Sequence, residues 1–333
     1  MTSGLPVVAT MIGDPAGIGP EVSVKAIASG ELRHLCQPLL IGDTGVVQRA
    51  VAVSGVKLPV KRIASMAHLE RAQDTIQVLD TGGFDVSACP FGQASAASGQ
   101  AVLEWMRLGG ELGAQGAIQG FIMGPVDSTS LKMTGRMPDI DALQPAGTFM
   151  LRITGPLRVV PLSEHVRITR AIELVTPELV LRVIRLVHDN LTQWGMPKPR
   201  IAVAGINPHA MFPEDRERIT PAIESARALG IDAQGPLVPD AVFRQTIEGR
   251  FDAIVTMYHD QGQIAVKTVG FEGACTVYIG LPYVMLSVPH GSAYDIAGKG
   301  VAQHRSMLAA MTTAASLASG RGIPAQQGSR NLP

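Results

Sequence analysis

The sequence predicts an α/β protein built on parallel sheet, and three observations carry that prediction. Short apolar, β-branched runs alternate with helical patterns of roughly 10 to 20 residues, which is how βαβ units read. Three of those strands run into a histidine at their carboxyl ends. At 333 residues the chain exceeds one typical domain, so two lobes or one large α/β unit is expected.

Each element follows from its residues. "PVVATMIG" (6–13) is a buried strand that leads through the Gly/Pro loop "DPAGIGP" into the helical "EVSVKAIASG". "PLLIGD" (38–43) is a second short strand with a turn. "SAASGQAVLEWMRLGGELGAQG" (95–116) has helical spacing, and "GAIQGFIMGP" (116–125) is a strand stopped by Gly-Pro. "LRVVPLSEH" (157–165) is another strand. Thr176 and Pro177 supply an N-cap and first-turn pair for the helix "ELVLRVIRLVHDNL". "RIAVAGINPH" (200–209) is a strand, and Thr220-Pro221 opens the helix "AIESARALG", closed by Gly230. A strand at 251–257 and a closing helix, "VAQHRSMLAAMTTAASLAS" (301–319), complete the pattern. The polar tail "QQGSRNLP" is expected to fray.

Composition narrows the function. Hydrophobic residues make up 46% and charged residues 17%, ordinary for a protein with a substantial core. The 28 basic and 28 acidic residues cancel, which removes the electrostatic case for nucleic acid or an anionic membrane surface. Cys36, Cys89 and Cys275 are an odd, sparse set that argues against a disulfide framework and fits a reducing cytosol. The first residues show no basic, cleavable leader, and no apolar run approaches the ~18 residues of a membrane span. A soluble, cytoplasmic protein is expected.

The three histidine-bearing strands are the sharpest signal. "PLRVVPLSEH" ends at His165, "RIAVAGINPH" at His209 and "FDAIVTMYH" at His259, at the end of a strand where open α/β sheets place their ligand crevice. Three neutral imidazoles with an open position can hold a catalytic divalent ion. Pro208 and Asp260 stand next to two of them and are placed to fix ring orientation. His188 and His304 lie on predicted helices, and His34 and His68 among polar neighbours, so these read as solvated surface. The glycine-rich segments say less. "GDPAGIGPE" (13–21) opens a helix and offers either an anion-facing turn or a tight structural one; it lacks the G-x-G-x-x-G spacing of a dinucleotide fingerprint. "PHGSAYDIAGKG" (289–300) is a long polar loop, readable as an irregular connection or as a loop for a nucleotide's adenosine.

Together, "GDPAGIGPE", "GINPHA", "YHDQGQIAVK" and "HGSAYDIAGKG" resemble the 4-hydroxythreonine-4-phosphate dehydrogenase (PdxA-like) family, in order and over nearly the whole chain. The last loop also resembles that of the isocitrate and isopropylmalate dehydrogenases. The resemblance implies two α/β/α domains with a cleft, 1–127 plus 292–333 and 128–291, the second carrying most metal ligands and the dimer interface. It implies NAD or NADP, a divalent metal (zinc, magnesium, manganese or cobalt) and an obligate homodimer whose metal site is completed across the interface. The family's metal histidines fall on His165, His209 and His259, and its substrate-contacting lysine on Lys267. His290, Gly291, Ser292, Asp295 and Gly298 would line the cofactor loop. Asp260 would orient His259 or act as a base.

The departures concern the substrate. The family's Gly-His-Thr-Glu segment corresponds to Ala146, Gly147, Thr148 and Phe149, so only Thr148 is kept. Thr276 replaces an asparagine, Met285 an arginine, Pro289 an aspartate, and Asp127-Ser128 an Asn-Lys pair. The loop "NPHAMFPEDRERIT" is shorter than its counterpart. A bidentate arginine–phosphate contact is hard to replace by methionine, and a dianion there would be left desolvated. The expectation is therefore a metal-dependent NAD(P)-linked dehydrogenase that oxidises and decarboxylates a non-phosphorylated hydroxy acid, similar to terephthalate cis-dihydrodiol dehydrogenase. The alternatives are 4-hydroxythreonine-4-phosphate or 4-phospho-threonate as substrate, or a non-catalytic metal-binding homologue.

Overall fold

The computed structural model describes residues 4–80, 82–138, 140–270 and 275–324; the polar tail predicted to fray lies outside them. The chain divides into two compact units, Met1–Ala146 with Leu281–Ser319, and Gly147–Gly280 with the chain from Gly320 on. The first opens with β1 (Val7–Met11), α1 (Gly19–Ala28), β2 (Gln37–Ile41), α2 (Thr44–Ser54), β3 (Val60–Ile63), β4 (Ile76–Leu79), α3 (Ala96–Ala114), β5 (Gly120–Met123) and α4 (Ser128–Met133). The second holds β6 (Phe149–Thr154), β7 (Leu157–Pro161), α5 (Ile168–Leu174), α6 (Pro177–Gln193), β8 (Ile201–Ala204), α7 (Thr220–Ala228), β9 (Ala233–Leu237), α8 (Val242–Ile247), β10 (Ala253–Thr256), α9 (His259–Val269) and β11 (Cys275–Ile279). The chain then returns to the first unit with β12 (Val284–Ser287) and α10 (Arg305–Ala318).

In the first unit the strands run β3-β4-β2-β1-β5-β12, every pairing parallel. The near-continuous burial of β1 and β2 is what a strand covered on both faces requires. In the second unit the order is β11-β6-β7-β10-β8-β9; β6 is antiparallel to both neighbours and the last four strands are parallel. Val159, Ala202, Ile254 and Val266, from β7, β8, β10 and α9, share one buried cluster.

The units change over at 146/147 and 280/281, whereas the resemblance places the changes at 127/128 and 291/292. Two contacts account for the difference: α4 packs along α3, and β12 pairs with β5, which holds both segments in the first unit. Helix ends follow their cap residues. The Ser95, Asp127 and Thr176 side chains accept backbone N–H groups at the starts of α3, α4 and α6. Asp127, where the family carries an Asn-Lys pair, is thus an N-cap here. Residue 220 does start α7, but a π-helical turn, Asp215–Ile219, runs straight into it, and the Thr220 hydroxyl donates to the Asp215 carbonyl. No helix among the described residues is long and apolar enough to cross a membrane.

Candidate metal and cofactor sites

β7, β10 and β8 are adjacent and parallel, with Pro161 opposite Thr256 and Val203 opposite Val255. Their carboxyl ends share one edge, and all three predicted histidines leave the sheet just beyond it. Two of them meet. The rings of His165 and His259 lie 5.0 Å apart at 55°. A nitrogen of each and a carboxylate oxygen of Glu164 lie within 4.8 Å of one another. His209 is not in that group.

The "HDQG" residues that ended the predicted strand instead begin α9, and each has a task. His259 Nδ1 faces Asp260 Oδ1 at 2.7 Å, which orients the ring and leaves its other nitrogen for an ion. Gln261 accepts from the Met257 N–H (2.7 Å) and donates to the Gly205 carbonyl (2.8 Å), tying the start of α9 to the turn after β8. Gly262 leaves room for Val159, whose Cγ1 a Cβ there would meet at 2.8 Å. Lys267 sits in the last turn of α9, exposed.

His209 occupies a short 3₁₀ turn in the left-handed region (φ 56°), followed by Ala210 in the same region (φ 53°). Such non-glycine residues cost about 1–3 kcal/mol each and need surrounding structure to hold them. Asp215 does the holding. It is 0% exposed and accepts from the Ile206 (2.8 Å), Asn207 (3.4 Å) and Phe212 (3.2 Å) amides and from Asn207 Nδ2 (3.1 Å). Sequence reading missed it, because in "PEDRERIT" it looks like one charge of a solvated run.

β6 is antiparallel to β7, with Arg152 opposite Val159, so its first residues lie beyond the carboxyl end of β7, on the histidine edge. Thr148 is buried there. Beside it, Arg182 of α6 donates from Nη2 to the Gly147 carbonyl (2.9 Å), and its guanidinium lies 5.6 Å from the Phe149 ring. Gly147 has φ 77°, and a Cβ there would meet Arg182 Nη2 at 3.0 Å; the guanidinium fills the space of the missing side chain. Thr276, half-buried, pairs with Arg152 across β11 and β6. Met285 belongs to the first unit, opposite Phe121, where with Met106 and Tyr283 it lines an apolar cavity of about 280 Å³.

The cofactor-loop residues also lie in the first unit. The Ser292 carbonyl accepts from the Ile18 N–H (2.9 Å), and Gly17 is a glycine because a Cβ would meet Ser292 Cβ at 2.7 Å. The Tyr294 hydroxyl donates to Asp14 Oδ2 (2.7 Å) and meets Ser130 Oγ (2.9 Å). Lys25 donates to the Gly300 and Ala302 carbonyls. The amides of residues 13, 14, 16, 17 and 18 are all taken up inside the unit, so this part of "GDPAGIGPE" is a structural turn that anchors the loop. His290 is half-buried with Nδ1 3.3 Å from the Gly291 carbonyl; Gly291 and Asp295 are exposed, and Gly298 packs under Phe91. Ser292 Oγ is buried with no partner, an unused hydroxyl of the kind a ligand-binding loop would show.

Two imidazoles and a carboxylate suit a borderline divalent ion such as zinc, manganese or cobalt better than magnesium, which favours oxygen donors. The cysteines do not compete for it. All three are buried, none in a disulfide, and burial pushes the Cys36 thiol up to about 12.

Comparison with known proteins bears on the whole chain. The family described as "Pyridoxal phosphate biosynthetic protein PdxA" matches residues 34–314. A provisionally assigned 4-hydroxythreonine-4-phosphate dehydrogenase of Novosphingobium aromaticivorans is 44% identical, with 96% of each chain covered. The D-threonate 4-phosphate dehydrogenase of Cupriavidus necator is 37% identical over 96% of this chain and 100% of its own. The crystal structure of a 4-hydroxythreonine-4-phosphate dehydrogenase from Burkholderia phymatum superimposes with a TM-score of 0.85 at 36% identity, covering 95% of this chain and 99% of that one. A terephthalate 1,2-cis-dihydrodiol dehydrogenase from Burkholderia xenovorans LB400 gives 0.70 at 28%, covering 91% and 95%. The likeness to these proteins named for phosphorylated substrates is thus greater than that to the terephthalate dihydrodiol dehydrogenase.

Proposed function

The chain belongs to the PdxA family, and on that premise we propose that it is an NAD(P)-linked, divalent-metal-dependent dehydrogenase oxidising the hydroxyl of a 4-phosphorylated hydroxy acid of the hydroxythreonine or threonate type. The full-length likeness to relatives named for such substrates carries the reading. It replaces the expectation of a non-phosphorylated substrate, which rested on donors lost at 147 and 285. Arg182 supports the change, since its guanidinium stands where a side chain at 147 would be, and guanidinium is the natural partner of a phosphate.

His165, His209 and His259 would hold the ion, which would supply Lewis acidity toward the substrate's hydroxyl oxygen. Asp260 keeps the His259 ring turned. Lys267, about 12 Å along α9 from His259, would bind the far carboxylate or relay a proton. Thr148 and Arg182 would bind the phosphate, and Thr276 would line the same site. In the first unit, Ser292 Oγ would take up a hydrogen bond from the nucleotide, with His290, Gly291, Asp295 and Gly298 shaping the loop. The nucleotide, when bound, would supply the hydride acceptor for the substrate carbon, and the hydroxyl proton would go to the protein or solvent. A hydroxyl β to a carboxylate then gives a β-keto acid, which loses carbon dioxide when the ketone oxygen accepts the electron pair. A homodimer is part of the proposal, because His209 is left out of the histidine pair while Val166, Ile168, Met211, Phe212 and Ile264, near the three histidines in sequence, are exposed.

The test is nicotinamide absorbance with each metal added back, over paired phosphorylated and non-phosphorylated hydroxy acids and a dihydrodiol carboxylate. The expected result is a preference in kcat/KM of about a hundredfold or more for the phosphorylated member, with Arg182→Ala raising its KM about tenfold and leaving the non-phosphorylated KM unmoved. Preference for the non-phosphorylated member would restore the dihydrodiol reading, and metal binding without any turnover would indicate a non-catalytic homologue.

A further inference from the structure

Glu164 was not among the residues expected to act, yet its carboxylate completes the group made by His165 and His259. Its position is fixed by a side chain from another strand. Arg152 of β6, only 7% exposed, sends Nη1 and Nη2 to the two Glu164 oxygens at 2.8 and 2.7 Å. Its Nε faces the Gln263 amide oxygen, one turn into α9 from His259. Arg152 therefore joins the segment bearing His165 to the helix bearing His259 through a single planar fork. A carboxylate offers about four lone-pair positions, and the fork occupies two of them. The others remain for the two imidazoles' ion. Holding the Arg152 guanidinium out of water is costly, and its half-buried partner Glu164 stands against two ring nitrogens, which suits a role beyond packing.

We propose that Glu164 is itself a ligand of the divalent ion at this site, an oxygen donor added to the imidazoles and aimed by Arg152. The inference rests on the reading that His165 and His259 bind the ion. Two imidazoles with one carboxylate form a recognised donor set for a catalytic metal. The carboxylate lowers the net charge of the loaded site by one relative to imidazoles alone. It also moves the site's preference toward manganese relative to a purely imidazole set.

The experiment reads metal binding rather than turnover. Metal-free protein is titrated with zinc against a chromophoric chelator, and separately with cobalt(II), whose visible d–d bands report the donor set. Glu164→Gln should weaken zinc binding at least tenfold and shift the cobalt bands. Arg152→Met keeps the carboxylate but removes its partner, and should hold zinc within about fivefold with the cobalt bands in place. His259→Ala should abolish both signals. Unchanged zinc affinity and cobalt spectrum in Glu164→Gln, with binding lost in His259→Ala, would overturn the Glu164 assignment and leave the histidine site standing. Wild-type binding in His259→Ala would overturn the histidine reading itself. An equal loss in Arg152→Met and Glu164→Gln would show that the ion pair supports the fold and not the ion.

Discussion

Residues 289–302 in the first unit and 205–215 in the second are both loops pinned by buried carboxylates, but they are left incomplete in different ways. The first is held by Asp14 and Glu21, which accept from Tyr294 and from the Ala302 amide, with Lys25 bridging Glu21 to two loop carbonyls. Two buried oxygens there lack a partner, Ser292 Oγ on the loop and Glu21 Oε2 beneath it. The second is held as firmly by Asp215, yet the loop it stabilises carries a left-handed histidine and turns Met211 (57% exposed) and Phe212 (46%) outward. Buried unmatched oxygens suit a small ligand that brings hydrogen bonds. Large apolar side chains beside an imidazole suit a protein surface. On the proposed function, the first loop would receive the nucleotide within one chain, whereas the histidine edge would be completed by a second copy.

The change with the largest expected effect attacks that second statement. Phe212→Glu places a charge on the exposed apolar edge, where burial against a partner would desolvate it. Light scattering should show the dimer giving way to monomer, with metal-dependent turnover down a hundredfold or more and the far-ultraviolet circular dichroism unchanged. A wild-type chain that is monomeric at micromolar concentration would break the comparison outright, and a variant that stays dimeric would move the interface away from His209.

How much of this was visible in the sequence depends on whether local pattern or distant pairing decides each feature. β7, β8 and β10 were legible because buried parallel strands are continuous apolar runs, and their histidines follow directly. β6 was not, because "FMLRIT" carries an arginine that looks out of place until Glu164 is found on the other side of a hairpin. A lone arginine inside an apolar run was nonetheless a signal, since a buried charge requires a partner. The start of α9 was hidden because Tyr258 makes no side-chain cap, so nothing announced a helix at His259. Asp215 and Arg182 were hidden by company: one lies in a mixed-charge run and the other on the polar face of an amphipathic helix. Met285 lies in a packed strand of the first unit, facing an apolar cavity, a place fixed by the pairing of β12 with β5 rather than by local pattern.

Asp215→Asn tests the second loop from inside and has an intermediate effect. The exchange puts an amide donor where one carboxylate oxygen now receives N–H groups, and it removes the charge that strengthens all four bonds. Urea denaturation should show a loss of about 1–3 kcal/mol with the slope unchanged. Turnover should fall about tenfold as His209 leaves its left-handed conformation. Full stability would mean that the turn holds itself and that the strain at residues 209 and 210 has another source.

Tyr294→Phe makes the matching incision in the first loop and should be the mildest. The hydroxyl lost donates to Asp14 and meets Ser130, and burial, together with the Asp14 carboxylate, holds its pKa above the ordinary tyrosine range despite the opposing contact with Ser130. It therefore stays a protonated donor throughout the neutral and mildly alkaline range, and the variant's defect should be the same at pH 6 as at pH 9. The expected cost is about 0.5–1.5 kcal/mol, one net hydrogen bond. The nucleotide should bind several-fold more weakly, because Ser292 and Tyr294 share the loop, while zinc affinity at the histidine edge should not change. That pairing of a moved nucleotide constant with an unmoved metal constant is what the contrast between the two loops requires. A zinc affinity that fell in step with nucleotide binding would mean the two sites are energetically coupled, and the contrast between the two loops would fail.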